Sequence, residues 1–238
     1  MKKNIRRLLI IPARGGSKRI KNKNIKKFHG KPIIFYAIET ALKSKLFSKI
    51  HISTDSKKIV NTIKEKNLHY DFYRPKNLSG DKIGIFDVIK FVVKKFGDNG
   101  IKFNEVWCMT PCSPLIKEKD LINSLKILKK APKNIVISIS EYQAPIEWAF
   151  KMDVTKSLLP LNIGSFKKRS QDLKKKYFDT GNFIGMKYNL LKNLKKNARL
   201  DLLYKGLILP KYRSIDIDDT DDWKSAEKYF KNLNLNNF

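Results

Sequence analysis

A short segment near the amino end gathers two adjacent glycines and a dense set of cations: Ala13-Arg14-Gly15-Gly16-Ser17-Lys18-Arg19, then Lys21, Lys23 and Asn24. Glycine lets the main chain adopt positive φ and come close to a ligand. Consecutive amide N–H groups in such a turn form a concavity that holds anions, and Arg14, Lys18, Arg19, Lys21 and Lys23 add full positive charges. The combination predicts a cradle for a polyphosphate. Neither G-x-x-x-x-G-K-[ST] nor G-x-G-x-x-G occurs in the chain, which excludes the P-loop and the dinucleotide-binding fingerprint.

A second group lies near the other end. Asp216 and Asp218 are two residues apart on a predicted strand over 212–218, so both side chains share a face, about 7 Å apart. At an effective dielectric near 20, two bare carboxylates at that distance repel by roughly 2 kcal/mol. A cation resolves the repulsion. Hard oxygen ligands with few protein contacts suit Mg²⁺, which keeps waters and substrate phosphate oxygens in its shell. Asp219, Asp221 and Asp222 follow at once, and acids in the first turn of a helix serve its dipole.

Strands and helices must bring these groups to one place. Residues 8–11 form an apolar run that reads as a buried strand emptying into the cationic loop. In open α/β sheets, ligands bind beyond the carboxyl ends of the strands. Ile34, Ala37, Ile38, Ala41 and Leu42 give an amphipathic helix over 32–44. A strand at 49–54 ends in Ser53-Thr54-Asp55, which supplies an N-cap for a helix over 57–67. Tyr70-Asp71-Phe72-Tyr73 reads as a short strand stopped by Pro75. Further helices are predicted over 84–96, 117–130 and 188–203, strands over 105–109, 134–140 and 206–210, a turn feeding a strand in the last part of 177–186, a final helix after Asp219, and a frayed tail from Asn232. The alternation gives an α/β fold, a doubly wound and mostly parallel sheet. Residues 141–168 interrupt it with Pro145, Pro160 and Gly164. There Trp148-Ala149-Phe150 and Leu158-Leu159-Pro160-Leu161 are apolar for a surface excursion. Such a segment packs on a partner subunit or lies as a hairpin on its own core; the first reading is the expectation.

At 238 residues the chain suits one domain spanning 1–238. No apolar run approaches the roughly 18 residues of a membrane span, and the run behind the basic start is too short for a secretory signal. A cytoplasmic protein with no membrane partner is expected. The formal net charge of +29 invites a nucleic-acid reading. The lysines are, however, spread along the whole chain, together with the Asn, Ile and Phe that AT-rich coding DNA enriches. No dedicated nucleic-acid partner is expected, and a non-enzymatic polyanion binder stands as the alternative. Cys108 and Cys112 are expected to be buried free thiols.

With these residues in view, the chain resembles the cytidylyltransferases that activate nine-carbon 2-keto acid sugars, the CMP-sialic acid synthetase superfamily. That family's loop, I-P-A-R-G-G-S-K-x-I-x-x-K-N, is matched by residues 11–24. Gly30-Lys31-Pro32, Ser53-Thr54-Asp55, Arg74-Pro75…Leu78…Asp81, Pro111-Cys112-Ser113-Pro114-Leu115 and Ile215-Asp216-Ile217-Asp218 fall on further family motifs. Arg169-Ser170-Gln171-Asp172-Leu173…Tyr177-Phe178-Asp179-Thr180-Gly181 is similar to the R-S-Q-D-L…Y-H-D-A-G of the pseudaminic acid branch, with Phe178 in place of His.

The resemblance implies a nucleotide-diphospho-sugar transferase-like fold and transfer of CMP from CTP to a nonulosonic acid, pseudaminic acid before sialic or legionaminic acid. It implies Arg14, Lys18 and Lys23 as catalytic cations. Ala13, Gly15, Gly16, Ser17, Asn24, Arg74 and Asp81 would surround the nucleotide, and Arg169, Gln171 and Asp179 would face the sugar. Asp216 and Asp218 would hold Mg²⁺. A homodimer built by residues 141–185 completes the expectation.

Overall fold

The computed structural model describes residues 5–194 and 198–235. In chain order these form β1 (Arg7–Pro12), β2 (Lys27–Phe28), β3 (Lys31–Pro32), α1 (Ile34–Ser44), β4 (Lys49–Ser53), α2 (Lys57–Lys64), α3 (Ile85–Asp98), β5 (Glu105–Met109), α4 (Glu118–Lys130) and β6 (Ile135–Glu141). Then come β7 (Phe150–Met152), β8 (Leu158–Pro160), β9 (Tyr177–Lys187), α5 (Tyr188–Asn193), β10 (Tyr204–Ile208) and α6 (Thr220–Leu235).

Six strands make one sheet in the order β10-β6-β9-β5-β1-β4. β1 runs parallel to both β4 and β5, and β10 runs parallel to β6. Only β9, inserted between β5 and β6, is antiparallel to its neighbours. The mostly parallel α/β architecture is therefore as expected, with its single reversed strand supplied by the return from the excursion.

The apolar alternation of β1 explains how the sheet is covered. Leu9 and Ile11 face a layer formed by α1, α2 and α4, whereas Leu8 and Ile10 face α3 and α5. Strands buried on both faces read as continuous apolar runs, and β5 is buried at every residue. Trp107 of β5 lies across the β9 backbone, where a Cβ on Gly185 would stand 2.4 Å from its ring. A third cluster forms beside the carboxyl edge of the sheet, where Phe28, Ile33 and Tyr36 pack against Trp223 and Ala226 of α6, with Ile20, Cys112 and Ile217. Both cysteines are free and buried, and burial pushes each thiol up to about 12.

Four expectations are corrected. Residues 70–73 are not a strand: the one backbone bond holding this stretch to β4's end is Arg74 N–H to Thr54 O, 2.8 Å, and Pro75 has no donor to continue a ladder. Residues 212–218 are not a strand either. A 3-10 turn at Lys211–Arg213 follows Pro210, after which the chain has no regular structure up to α6, with Ile217 buried in the third cluster instead of paired at the sheet edge. The predicted helix over 188–203 stops at Asn193 and resumes as a 3-10 turn at Leu200–Leu203; residues 195–197 lie outside the described residues. The expected fraying from Asn232 is also not seen up to Leu235, where α6 ends, and 236–238 lie outside the described residues.

Candidate active site

The loop that leaves β1 is stapled to the end of β4. Ala13 N–H donates to Ser53 O, 2.9 Å, and Gly15 N–H donates to Asp55 Oδ1, 2.9 Å. The reason for glycine at position 15 is therefore different from the expected one. Its φ is not positive; a Cβ there would sit 2.9 Å from Ser56 Cβ. Close approach of two loops, not a left-handed turn, excludes a side chain. The Gly15 amide is committed to Asp55, so it is not one of the donors free for an anion. The left-handed residue of the loop is Asn22, φ 55°. Ser56, not Asp55, caps α2, accepting from Ile59 N–H.

Beyond this staple the loop opens on a cleft of about 650 Å³. Arg14, Ser17, Lys18, Arg19, Lys23 and Asn24 line it on one side. Arg74, Asp81, Thr110 and Cys112 line it further round, and Asp216 and Asp218 close it. The two ends of the chain meet here through side chains. Lys23 Nζ lies 3.3 Å from Asp218 Oδ1 and donates to Ile217 O at 2.6 Å. Arg19 Nη2 lies 2.9 Å from Asp218 Oδ2. Across the cleft, Arg14 and Lys18 both bind Asp81, each at 2.5 Å. Asn24 is buried and donates to Arg14 O, 2.9 Å, fixing the loop's exit.

Arg74 is 5% exposed, and its Nε and Nη2 have no hydrogen-bond partner among the described residues. Burial, together with the charge of Arg14, depresses its pKa. A buried guanidinium with unused donors on a cleft wall demands an acceptor from outside.

The acid pair is asymmetric. Asp218 is pulled up by burial, but hydrogen bonds from Arg19 and Lys23 outweigh this and hold it below the usual carboxylate range. Among the described residues, Asp216 has no side-chain hydrogen bond and no ion pair. It is open to the cleft yet recessed among protein atoms, and that desolvation, with the neighbouring charge of Asp218, raises its pKa. Two convergent carboxylates, one of them unpaired, are the donor chemistry of a hard dication. The residues fit Mg²⁺, although no third His, Cys, Asp or Glu joins them in a metal-sized cluster among the described residues.

Asp216 is positioned by β9. The ladder between β6 and β9 slips between Ile137 and Ile139, so that Thr180, Gly181, Asn182 and Phe183 bulge out of register. Thr180 Oγ1 donates to Ser138 Oγ, 2.8 Å, and Asn182 O accepts from Thr110 N–H, 2.9 Å. The bulge puts Gly181, φ +66°, against Asp216, where a Cβ would stand 3.0 Å from Oδ2.

Not every predicted residue reaches the cleft. Ala13, Gly15 and Gly16 do not line it: Ala13 and Gly15 are tied behind it to Ser53 and Asp55, and Gly16 is exposed. Asp179 stands at the rim, close enough for its charge to act on Asp216, and accepts from Gly181 N–H. Arg169 and Gln171 lie on the exposed excursion; Arg169 binds Asp172 at 2.9 Å and lines no part of the cleft. Conversely, Ile83 and Ile85 line it without having been assigned to it, and Arg19, expected only as one of the loop's cations, lines it as well. Arg19 could have been found from its place among the loop's cations; the two isoleucines carry no chemical signal.

Residues 8–237 match a protein-family model described as Cytidylyltransferase. Over 231 residues the chain is 31% identical to a pseudaminic acid cytidylyltransferase of Campylobacter jejuni, covering 95% of this chain and 97% of that one. It is 29% identical over 220 residues to an N-acylneuraminate cytidylyltransferase of Escherichia coli, covering 92% of this chain and 51% of the relative. Among solved structures, a CMP:2-keto-3-deoxy-manno-octonic acid synthetase complexed with CTP superposes with a TM-score of 0.69 at 14% identity, over 96% of this chain and 99% of that one.

Proposed function

The chain belongs to the cytidylyltransferase family, and from that premise we propose that it transfers CMP from CTP to a nonulosonic acid, pseudaminic acid first among the candidates, releasing pyrophosphate. The sugar is supported by the full-length similarity to the Campylobacter protein. The observation that carries the reaction is that the cationic loop and the acid pair line one cleft, with Lys23 and Asp218 in contact.

In this reading the anomeric hydroxyl of the sugar attacks the α-phosphorus of CTP and gives up its proton to water, the bond from that phosphorus to the oxygen bridging it to the β-phosphate breaks, and pyrophosphate leaves with that electron pair. Catalysis of such transfers rests on positioning and on stabilising charge where it develops. Arg14, Lys18 and Lys23 hold the triphosphate and neutralise the leaving group. Ser17 and the loop amides beyond Gly15 add donors. Arg74 offers its unused N–H groups to the nucleotide. Asp216 and Asp218 are the pair that would hold Mg²⁺, which when bound supplies charge neutralisation at phosphate and sugar oxygens.

The sugar carboxylate needs a cation, and a guanidinium can meet it bidentately. Arg169 is the proposed partner, presented with Gln171 on the excursion. Because neither residue lines this chain's own cleft, they act most simply in a homodimer. Each excursion would then lie on a second copy, consistent with the exposure of Phe150, Met152, Leu158, Leu159 and Ile163.

The test is pyrophosphate release from each of the four NTPs with Mg²⁺, with and without pseudaminic, sialic or legionaminic acid. Release with CTP and pseudaminic acid is the expected result. Release with another sugar acid would reassign the substrate. No release with any pair, beside tight salt-sensitive polynucleotide binding, would favour the polyanion binder.

A further inference from the structure

Four cations of the cleft are already held by carboxylates of the same chain: Arg19 and Lys23 by Asp218, and Arg14 and Lys18 by Asp81. The two carboxylates differ in what they can do once a polyphosphate arrives. Asp218 has Asp216 beside it and a dication to move to. Among the described residues, Asp81 has no ion-pair partner besides Arg14 and Lys18, the two cations that the triphosphate needs. A carboxylate and a phosphate compete for those donors at close range, because the two anions repel each other more strongly the closer they lie.

We propose that Asp81 is a stand-in anion: it occupies Arg14 and Lys18 while the cleft is empty, is displaced by the incoming triphosphate, and returns to speed the departure of pyrophosphate. The proposal rests on the reading of the cleft as a triphosphate site.

The placement supports an exchange. Asp81 sits in the segment between a 3-10 turn at Lys76–Leu78 and α3, bounded by Gly80 and Gly84. One end of that segment is tied to β4's terminus through Arg74 N–H, the other to a helix. Among the described residues, no hydrogen bond or ion pair other than those of Asp81 joins it to the cationic loop. Removing this carboxylate therefore releases the contact without disturbing the rest of either loop. Asp81 and Lys18 are substantially exposed, with side-chain exposures of 45% and 78%, so each pair is weak enough to yield. A ligand with several charges that spans Arg14, Lys18 and Lys23 at once displaces Asp81; a monophosphate that reaches only one of them competes poorly. The device thus sets a threshold favouring triphosphate over smaller anions and the leaving product.

The experiment titrates inorganic tripolyphosphate into wild type, Asp81→Asn, Asp81→Glu and Asp87→Asn by calorimetry in metal-free buffer, with CTP as a second ligand. Asp81→Asn is expected to bind tripolyphosphate about fivefold tighter than wild type, the scale on which exposed ion pairs act. Pyrophosphate should inhibit its turnover at correspondingly lower concentration. Asp81→Glu should stay near wild type, and Asp87→Asn, which removes an acid from the first turn of α3, should shift binding by less than twofold. Unchanged or weaker tripolyphosphate binding by Asp81→Asn, with wild type binding normally, overturns the stand-in role. Loss of CTP binding alone would instead make Asp81 a ligand of the nucleoside. If wild type binds neither compound, the triphosphate reading fails, and this proposal with it.

Discussion

The two aspartates of the cleft illustrate how a residue can cost stability for the sake of chemistry. Asp216 is desolvated, faces Asp218 and has a raised pKa. A carboxyl group with a raised folded pKa binds protons more tightly when folded, so the native state loses stability as pH climbs through that window. Asp218 is depressed, so its contribution is present at neutral pH and lost as pH falls. Asp216→Asn should therefore raise the Tm at pH 7.5 in the absence of metal, while cutting turnover roughly 10²-fold, the scale of losing one main electrostatic contact. Mg²⁺ should raise the Tm of wild type and leave that of the variant unmoved. A lower Tm for the variant by calorimetry would show that Asp216 is a structural acid.

The residue scale also shows what composition and spacing conceal. The types in the loop after β1 suggest phosphate chemistry, yet the purpose of Gly15 is invisible in them, because it depends on Ser56 arriving at the start of α2. Asp55 is legible as part of a turn, but its bond to the Gly15 amide crosses 40 positions of sequence. No local pattern records such a contact.

At the scale of elements, strands with a continuous apolar run and helices with one apolar stripe are read correctly to within a few residues. The failures share a cause. Residues 212–218 alternate as a strand should, but β10 forms the sheet edge and no neighbour receives them. What shapes this segment is Arg213. Its guanidinium donates to both Asp120 oxygens, at 2.5 and 3.2 Å, and to Leu115 O at 3.4 Å. Asp120 also accepts the Lys117 amide at the start of α4, so one carboxylate ties the helix after β5 to the segment carrying the acid pair. Both side chains are 11% exposed. Breaking such a pair leaves a charge uncompensated, which costs about 3 kcal/mol. Arg213→Met should lose about that much in urea unfolding and require severalfold more Mg²⁺ for half-maximal turnover. A stability loss with an unchanged Mg²⁺ requirement would show that the segment holds its shape by packing alone.

At the scale of the whole molecule, the excursion between β6 and β9 is the part that its own core does not explain. β7 and β8 pair with each other, and every residue of both strands is exposed. Phe150 and Phe166 stack at 4.7 Å on this hairpin with apolar neighbours open around them. Sedimentation velocity should give a species of about twice the 27.7 kDa chain mass, and Leu159→Glu should return it to a monomer. If Arg169 serves a neighbour's cleft, that monomer should also lose sugar-dependent turnover while still binding CTP. A monomeric wild type with full activity would remove the subunit reading.

The contact between Lys23 and Asp218 spans 195 positions of sequence. A growing polypeptide therefore carries its basic loop long before the aspartates that complete the cleft have been made. On the proposed reading, a nucleotide that needs both groups can stabilise only a molecule whose last acidic segment has already folded back against its first turn.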